Sequence, residues 1–206
     1  APPSAEDEEL LAALARTFDP ATELWMWDAE RFKYDLTGAD LLRRYLYDPT
    51  LNIDGIWGGY TGPGTKTLLP HEVRVKMDVR LVPDMEPERV RQRIRGHLAR
   101  IGREDLEVHF YEGYPPAKTS VREPVVQALV RAIRALGFEP EIWPHIAGSA
   151  PFYLFRRVLG QPFAMGGLGH GGRPHSPNEY ATLAGMQLFA RSVARFLYEY
   201  AEDARR

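Results

Sequence analysis

The 206-residue sequence contains no cysteine, which excludes disulfides and thiolate zinc sites. Any metal bound by this chain must therefore use histidine and carboxylate ligands. The sequence also lacks an apolar run near the roughly 18 residues that span a bilayer, and it shows no basic-then-apolar leader. We therefore expect a soluble, cytoplasmic protein.

A strong charge of either sign is also missing. The formal net charge is −2, and the arginines alternate with acids as on an ordinary solvated face. This balance gives no electrostatic reason to expect nucleic acid or a membrane as a partner. Hydrophobic residues make up 44% of the chain, which is enough for the core of one large domain or two small ones.

The first half of the chain predicts two helices followed by two strands. Acidic residues after Ser4 indicate a capped helix that ends near Pro20, and a second short helix is expected over 38–48. Residues 50–60 predict a strand with bends at glycine. The clearest strand covers 72–82, where apolar and charged residues alternate. The alternation indicates a sheet with one packed face and one solvated face.

A helix opening at Glu86-Pro87 and a strand over 106–111 complete this part. Strand, strand, helix and strand make up most of a ferredoxin-like α+β unit, whose first strand and helix are not evident upstream. Residues 113–117 read as a linker. Beyond it, helices and short strands alternate, as is typical of an α/β layer. Helices are expected over 124–136, 150–159 and 181–200, and strands over 138–143 and 162–165.

The stretch GHGGRPHSPNEY, residues 169–180, carries two histidines five positions apart. Its glycines and prolines predict a loop. The loop follows an expected buried strand, where α/β folds place functional groups. His175 is therefore either a metal ligand or a polar loop histidine. The spacing between His170 and His175 does not place both imidazoles on one helix face, as HExxH would.

Two other residues are open to two interpretations each. Ser149, in Gly-Ser-Ala-Pro, either caps a helix or contributes its hydroxyl to an anion site built from backbone N–H groups. Arg80 lies opposite the apolar side of its strand and is by default a solvated arginine. The glycine-rich loop before Lys66 does not have P-loop spacing, because that lysine does not directly follow a glycine.

Several motifs occur together in a distinctive order. They are Thr-Leu-Asn-Ile-x-Gly, Gly-Pro-Gly-Thr-Lys-Thr-Leu-Leu-Pro, Arg-Leu-Val-Pro-Asp-Met-Glu-Pro, Ala-Gly-Ser-Ala-Pro, and Gly-Gly-Leu-Gly-His followed by His-Ser-Pro-Asn-Glu. On these motifs, the chain resembles the aminoacylase, carnosinase and glutamate-carboxypeptidase family of dinuclear zinc metallohydrolases. The resemblance runs from about residue 36 to the C-terminus.

The resemblance implies a role for four residues. His175 would be a zinc ligand, Thr67 and Arg80 would contact substrate from a lid, and Ser149 would contact it from the catalytic domain. Each side chain suits its role, because neutral imidazole binds Zn²⁺ and an arginine can clamp a carboxylate with two hydrogen bonds. No catalytic residue is assigned within this chain.

The resemblance also implies the fold class and the domains. Members of the family have an α/β catalytic domain that holds two zinc ions, and a ferredoxin-like lid inserted in it that often dimerises. We expect an incomplete α+β ferredoxin-like lid, serving as the dimerisation domain, over residues 1–112. It would be joined to the C-terminal segment of the α/β zinc-hydrolase catalytic domain over 113–206.

The chain departs from the family in two places. The family takes metal ligands from a His-x-Asp and a Glu-Glu pair, whose first Glu is the general base. Here His-x-Asp does not occur, and the only Glu-Glu pair is Glu8-Glu9 at a helix start. Relatives also commonly read Arg-x-Gly-Gly-Ser-x-Pro where this chain has His145 in place of the arginine. That change affects the recognition expected for a carboxylate-bearing substrate.

We therefore expect part of a zinc-dependent metallopeptidase or amide hydrolase of the dipeptidase, carboxypeptidase or deacylase type. Its two zinc ions would be bound mostly by residues outside this chain, so the chain alone would be inactive. The expected partners are a peptide or N-acyl amino acid substrate and a second copy bound through the lid. The alternative is a non-catalytic dimerisation or binding domain derived from the same family.

Overall fold

The computed structural model describes residues 2–203 and 205, which form two compact units. One unit is Asp48–Pro116, and the other combines Pro2–Tyr47 with the chain from Ala117 onward. This division differs from the expected one, because residues 2–47 fold with the C-terminal part and not with residues 48–112. The second boundary lies close to the expected linker.

The first helix, α1 (Ala5–Leu14), begins as predicted, at Ser4. The Ser4 hydroxyl accepts from the backbone N–H of Asp7 at 3.3 Å, and the Asp7 carboxylate accepts from the backbone N–H of Ser4 at 2.9 Å. This reciprocal capping satisfies two amides at the open end of the helix. A short helix that the sequence did not predict, α2 (Pro20–Met26), is capped by Asp19.

The core of the second unit explains why its N-terminal helices belong there. Helix α3 (Gly38–Tyr47) packs on α1. The buried residues of this core are Leu11, Leu14, Leu42, Leu46 and Tyr47. Trp143, from the C-terminal part of the chain, packs against the same cluster and meets the Phe18 ring edge-on at 5.9 Å. Burial of this shared apolar surface joins residues 2–47 to the C-terminal part.

Two further helices of this unit pack on each other, α5 (Pro124–Ala135) and α6 (Leu183–Asp203). Their contact includes ion pairs from Arg131 to Asp203 and, at 3.2 Å, to the buried carboxylate of Glu199. Glu199 also accepts from Arg195 at 2.5 Å. The buried carboxylate is thus paired with two arginines, as a buried charge requires.

The first unit contains the predicted strands β1 (Thr50–Gly58) and β2 (Val73–Arg80), paired antiparallel. The register shifts between Ile53 and Gly55, so Asp54 is an extra residue in β1. Because side chains alternate along a strand, this bulge keeps Ile53 and Ile56 on one face. The predicted helix follows as α4 (Pro87–Arg100).

The apolar face of the β1–β2 sheet is exposed within the described chain. Six of its apolar side chains are between 44% and 63% exposed, and Val79 is half-buried: the six are Leu51, Ile53, Ile56, Val73, Val75 and Met77. The prediction of one packed and one solvated face is therefore wrong for this part of the chain. Alternation identified which side chains share a face, but a face is buried only where another element covers it.

Three predicted strands, over 106–111, 138–143 and 162–165, are not strands in the structure. The sheets formed by residues 2–203 are β1–β2 and a hairpin of β3 (Gly171–Gly172) with β4 (Tyr180–Ala181). A strand needs a neighbour that satisfies its backbone groups, and these segments find none among the described residues.

The helix predicted over 150–159 is reduced to a π-helical turn at Leu154–Val158. The fold is accordingly a mixed α/β arrangement with two small sheets. Over the part of the chain that the structure describes, no helix combines the length and apolarity needed to cross a bilayer.

Candidate functional site

The loop that carries His175 is closed at its base by the β3–β4 hairpin. Gly171 pairs with Ala181 and Gly172 with Tyr180, so His175 lies in the exposed tip. Its backbone is in the left-handed region, at φ +60°, and its N–H donates to the Glu179 carboxylate at 3.2 Å. The predicted loop is confirmed, and it presents this imidazole at the surface.

His170 lies at the base of the hairpin. Its carbonyl accepts from the backbone N–H of Thr182 at 3.0 Å, and its Nδ1 lies 3.4 Å from the Thr182 hydroxyl. The start of α6 lies against it so closely that a Cβ on Gly185 would approach the His170 backbone nitrogen to 2.5 Å. These contacts hold the base of the loop against the start of α6.

The residues described here do not by themselves fit a zinc ion. Across residues 2–203 and 205, no three His, Asp or Glu side chains lie together in a way that could hold a metal. Zinc sites in proteins use three or four protein ligands. His175 can supply one such ligand, and it remains a predicted one.

Arg80 is fixed at the end of β2 by a neighbouring carboxylate. Its Nε lies 2.6 Å from Oδ2 of Asp78, and its side chain is 56% exposed. The Asn52 amide on β1 donates to both oxygens of the same carboxylate, at 3.3 and 3.4 Å. Asp78 therefore orients the guanidinium and is itself held from the opposite strand.

The β-bulge adds a second acid to this polar face. Desolvation and the carboxylate of Asp78 raise the pKa of Asp54, and the positive charge of Arg80 opposes the shift. The sequence pattern placed Asp78 and Arg80 on one face. It did not identify Asn52 and Asp54, because their position depends on the strand register and on the bulge.

Thr67 and Ser149 are both exposed. Thr67 lies in the loop between β1 and β2, next to Leu68 and Leu69, which are exposed as well. The interpretation of Ser149 as a helix cap is wrong, since the π-helical turn begins at Leu154 with Tyr153 as its N-cap. No regular helix starts at Ser149, so the backbone N–H groups of a helix start are not available there for an anion site.

The four predicted site residues are divided between the two units. Thr67 and Arg80 belong to Asp48–Pro116, whereas Ser149 and His175 belong to the other unit. None of the four lines the shallow groove of about 350 Å³ between α4 and the segment 108–110.

A buried polar cluster in the second unit was not expected from the sequence. Asp7 is 2% exposed, and its carboxylate accepts from Lys118 and from Ser4. The ring of Tyr47 lies 4.6 Å from the ring of His145. Burial, and after it the charge of Lys118, lowers the pKa of His145. His145 is thus a partly buried ring that is mostly neutral at neutral pH.

Burial affects the pKa values of the other titratable residues in this cluster in different ways. Burial alone would raise the pKa of Asp7, but the hydrogen bonds from Lys118 and Ser4 outweigh it and lower the pKa. Burial, followed by the charge of Asp7, raises the pKa of Tyr47. Among the described residues, neither Oη of Tyr47 nor Nε2 of His145 has a hydrogen-bond partner, although both atoms are buried.

Known proteins are similar to this chain in both sequence and fold. The chain is 33% identical to the beta-Ala-His dipeptidase of Rattus norvegicus over 119 residues, covering 55% of this chain and 24% of that protein. It is 36% identical to the Cys-Gly metallodipeptidase DUG1 of Saccharomyces cerevisiae over 184 residues, covering 82% of this chain and 37% of that protein. The chain therefore spans between a quarter and two fifths of these relatives.

The structure is similar to that of the M20 family metallo-carboxypeptidase Sso-CP2 from Sulfolobus solfataricus. The TM-score is 0.80 at 30% identity, covering 97% of this chain and 46% of that one. The sequence pattern of the peptidase family M20/M25/M40 matches residues 26–199, which confirms the resemblance drawn from the motifs. The chain belongs to the peptidase family M20/M25/M40.

Proposed function

We propose that this chain is the lid and the C-terminal catalytic segment of a zinc-dependent peptidase or amide hydrolase. The observation that carries the proposal is the family match over residues 26–199, which includes the hairpin that presents His175. Two of the similar proteins are dipeptidases by name and a third is a metallo-carboxypeptidase. A peptide or an N-acyl amino acid is the corresponding substrate class.

In this proposal His175 supplies one zinc ligand. The exposed tip and the bond from its backbone to Glu179 fix the position of the imidazole without burying it. The remaining ligands of the two zinc ions come from polypeptide outside this 206-residue sequence, because the described residues do not assemble a metal site. The chain alone is accordingly inactive.

The substrate contacts come from Arg80, Thr67 and Ser149. Arg80 suits a substrate carboxylate, because its planar guanidinium can donate two parallel hydrogen bonds and Asp78 orients it. Thr67 and Ser149 each offer an exposed hydroxyl. His145 does not replace the family's arginine as a charged contact, since it packs against Tyr47 and its pKa is lowered.

The unit Asp48–Pro116 is proposed to be the ferredoxin-like lid, and two copies are proposed to associate through it. Its strands and helix follow the order of part of that fold. The exposed apolar face of the β1–β2 sheet supports an association that would cover it.

Zinc binding tests the proposal. Calorimetry on the 206-residue chain should show weak binding without defined stoichiometry, because one good ligand does not form a closed site. A longer protein that adds a His-x-Asp and a Glu-Glu segment should bind two zinc ions and hydrolyse dipeptides. His175→Ala should lower its zinc content, and His109→Ala, which changes an exposed histidine in the other unit, should not.

Tight binding of two zinc ions by the 206-residue chain, lost in His175→Ala, would contradict the proposed division of ligands. The second candidate function is a non-catalytic dimerisation or binding domain. The lack of a metal-binding group among the described residues favours it. It would be supported if the coding sequence upstream of residue 1 encoded neither His-x-Asp nor Glu-Glu.

A further inference from the structure

The buried polar cluster lies where the chain passes between its two units. Tyr47 is the last residue of the second unit before Asp48, and Lys118 follows Ala117, where the chain returns. Asp7 accepts from Lys118, and the ring of Tyr47 packs against that of His145 in a tilted arrangement. One group of side chains in the second unit therefore holds the chain both where it leaves this unit, at Tyr47, and where it returns, at Lys118.

His145 is the last packed residue before Ser149. On its N-terminal side, Trp143 packs against the leucine core and Pro144 is buried. On its C-terminal side, the four residues 146–149 are all exposed. The ring contact with Tyr47 thus lies immediately before the exposed residues that lead to the serine.

We propose that His145 is a positioning residue for Ser149: its ring, packed against that of Tyr47, anchors residues 144–149, and adding a proton to the ring loosens this anchor. The importance of Ser149 to substrate rests on the proposed function. The anchoring itself depends only on the contacts within the second unit.

The charges around the ring explain why a proton would disturb it. The groups that face His145 are Asp7 from α1, Tyr47 from α3 and Lys118 from the returning chain. A proton would place a second positive charge beside Lys118. The Asp7 carboxylate opposes this effect, but it is already paired with Lys118 and hydrogen-bonded to Ser4. Burial further disfavours the charged ring.

Nuclear magnetic resonance on the 206-residue chain tests the proposal between pH 7.5 and pH 4.5. The ring of His145 should titrate below the usual midpoint of 6.5. The backbone amides of Gly148 and Ser149 should shift with the same midpoint. These amide shifts should disappear in His145→Gln and persist in His71→Gln, which changes an exposed histidine of the other unit.

The proposal is overturned if the Ser149 amide does not change with pH, or if its midpoint differs from that of the His145 ring. Both midpoints come from the unaltered protein, so this comparison stands even if His145→Gln folds poorly. Persistence of the amide titration in a folded His145→Gln would also overturn it. The readout uses neither zinc nor substrate, so an absence of peptidase activity in the longer protein with all its metal ligands would refute the proposed function and leave this inference intact.

Discussion

Nε of Arg80 lies 2.6 Å from Oδ2 of Asp78, two residues earlier on the same face of β2. The partner carboxylate is held in turn by Asn52 on the opposite strand. A surface arginine ordinarily samples many rotamers, and ordering it costs entropy. Here the sheet orders it before any ligand binds, and this relation can be tested by substitution.

Arg80→Ala should change the unfolding free energy of the 206-residue chain by no more than about 0.5 kcal/mol, as expected for an exposed side chain. In a complete peptidase, the same change should lower kcat/KM strongly. Arg80→Lys should restore little, because the planar fork is lost. Arg74→Lys is the matched control, since Arg74 lies on the same face and pairs with Glu72 at 2.5 Å. Near-normal kcat/KM in both Arg80 variants would return this residue to an ordinary solvated arginine.

The pair of buried Asp7 and half-buried Lys118 should contribute much more to stability. Lys118→Met leaves a buried carboxylate without its cation and should lower the unfolding free energy by about 3 kcal/mol. The double variant Asp7→Asn/Lys118→Met should lose less than the sum of the single variants, because the two side chains interact directly. Urea denaturation measures both quantities.

The exposed pair of Arg134 and Glu139 provides the comparison for that prediction. Their side chains are largely solvent-exposed, so Arg134→Met should leave the urea midpoint almost unchanged. Equal losses for Lys118→Met and Arg134→Met would show that burial of Asp7 has no part in the effect.

Protonation of His145 should lower stability in mildly acidic solution. Its folded-state pKa lies below the unfolded value of 6.5. The unfolded chain therefore binds the proton first as the pH falls. Stability should be complete above about pH 6.5 and decline below it, by at most about 1.4 kcal/mol per pH unit, until the folded-state pKa is reached.

The variant His145→Gln should remove this part of the pH dependence, and His71→Gln should retain it. Asp7 acts in a different range, because its pKa is lowered from 3.8 and its contribution is lost only in stronger acid. Urea midpoints at pH 7.5, 6.5 and 5.5 therefore isolate the histidine. An unchanged slope in His145→Gln would assign the dependence to another group.

Gly185 should tolerate no side chain, because a Cβ there would meet the backbone nitrogen of His170 at 2.5 Å. Gly185→Ala should force the hairpin base away from α6 and cost about 1–3 kcal/mol. At Gly169 a Cβ would meet nothing within 4 Å, so Gly169→Ala should cost nothing measurable. Thermal denaturation compares the two, and equal stability would show that the hairpin base adjusts freely.

The exposed apolar face of the β1–β2 sheet should cause self-association at tens of micromolar. Val75→Lys, which places a charge on that face, should shift sedimentation toward the monomer. Lys76→Gln changes the neighbouring residue on the opposite face and should have little effect. A strict monomer in the unaltered chain would contradict the proposed association through this unit.

Local signals in the sequence were sufficient for several elements. The Ser4 cap, the alternation along β2 and the Pro87 start of α4 each depend on neighbouring residues, and all three occur in the structure. The segment 106–111 alternates equally well, but a strand also requires a partner, and alternation carries no information about one. The seven-residue α2 gives too short a periodic pattern to identify.

The candidate site likewise combines features that depend on neighbouring residues with features that depend on distant ones. His175 could be proposed from the sequence because its loop composition and its motif are both local, and its role as a ligand stays a prediction. The ring contact of His145 with Tyr47 and the pairing of Asp7 with Lys118 join residues far apart in sequence. Such contacts depend on how α1 and α3 pack, and neither periodicity nor spacing within a segment contains that information.

The two points near Asp7 where the chain passes between its units determine which part of the chain could be deleted. Tyr47 and Lys118 both belong to the buried polar cluster. The chain between them therefore leaves the second unit and returns to it at the same place. The unit Asp48–Pro116 is then a module that could be deleted. A short flexible peptide could connect Tyr47 to Lys118, and the second unit would keep its leucine core, its Asp7–Lys118 ion pair and its hairpin without a break in folding topology.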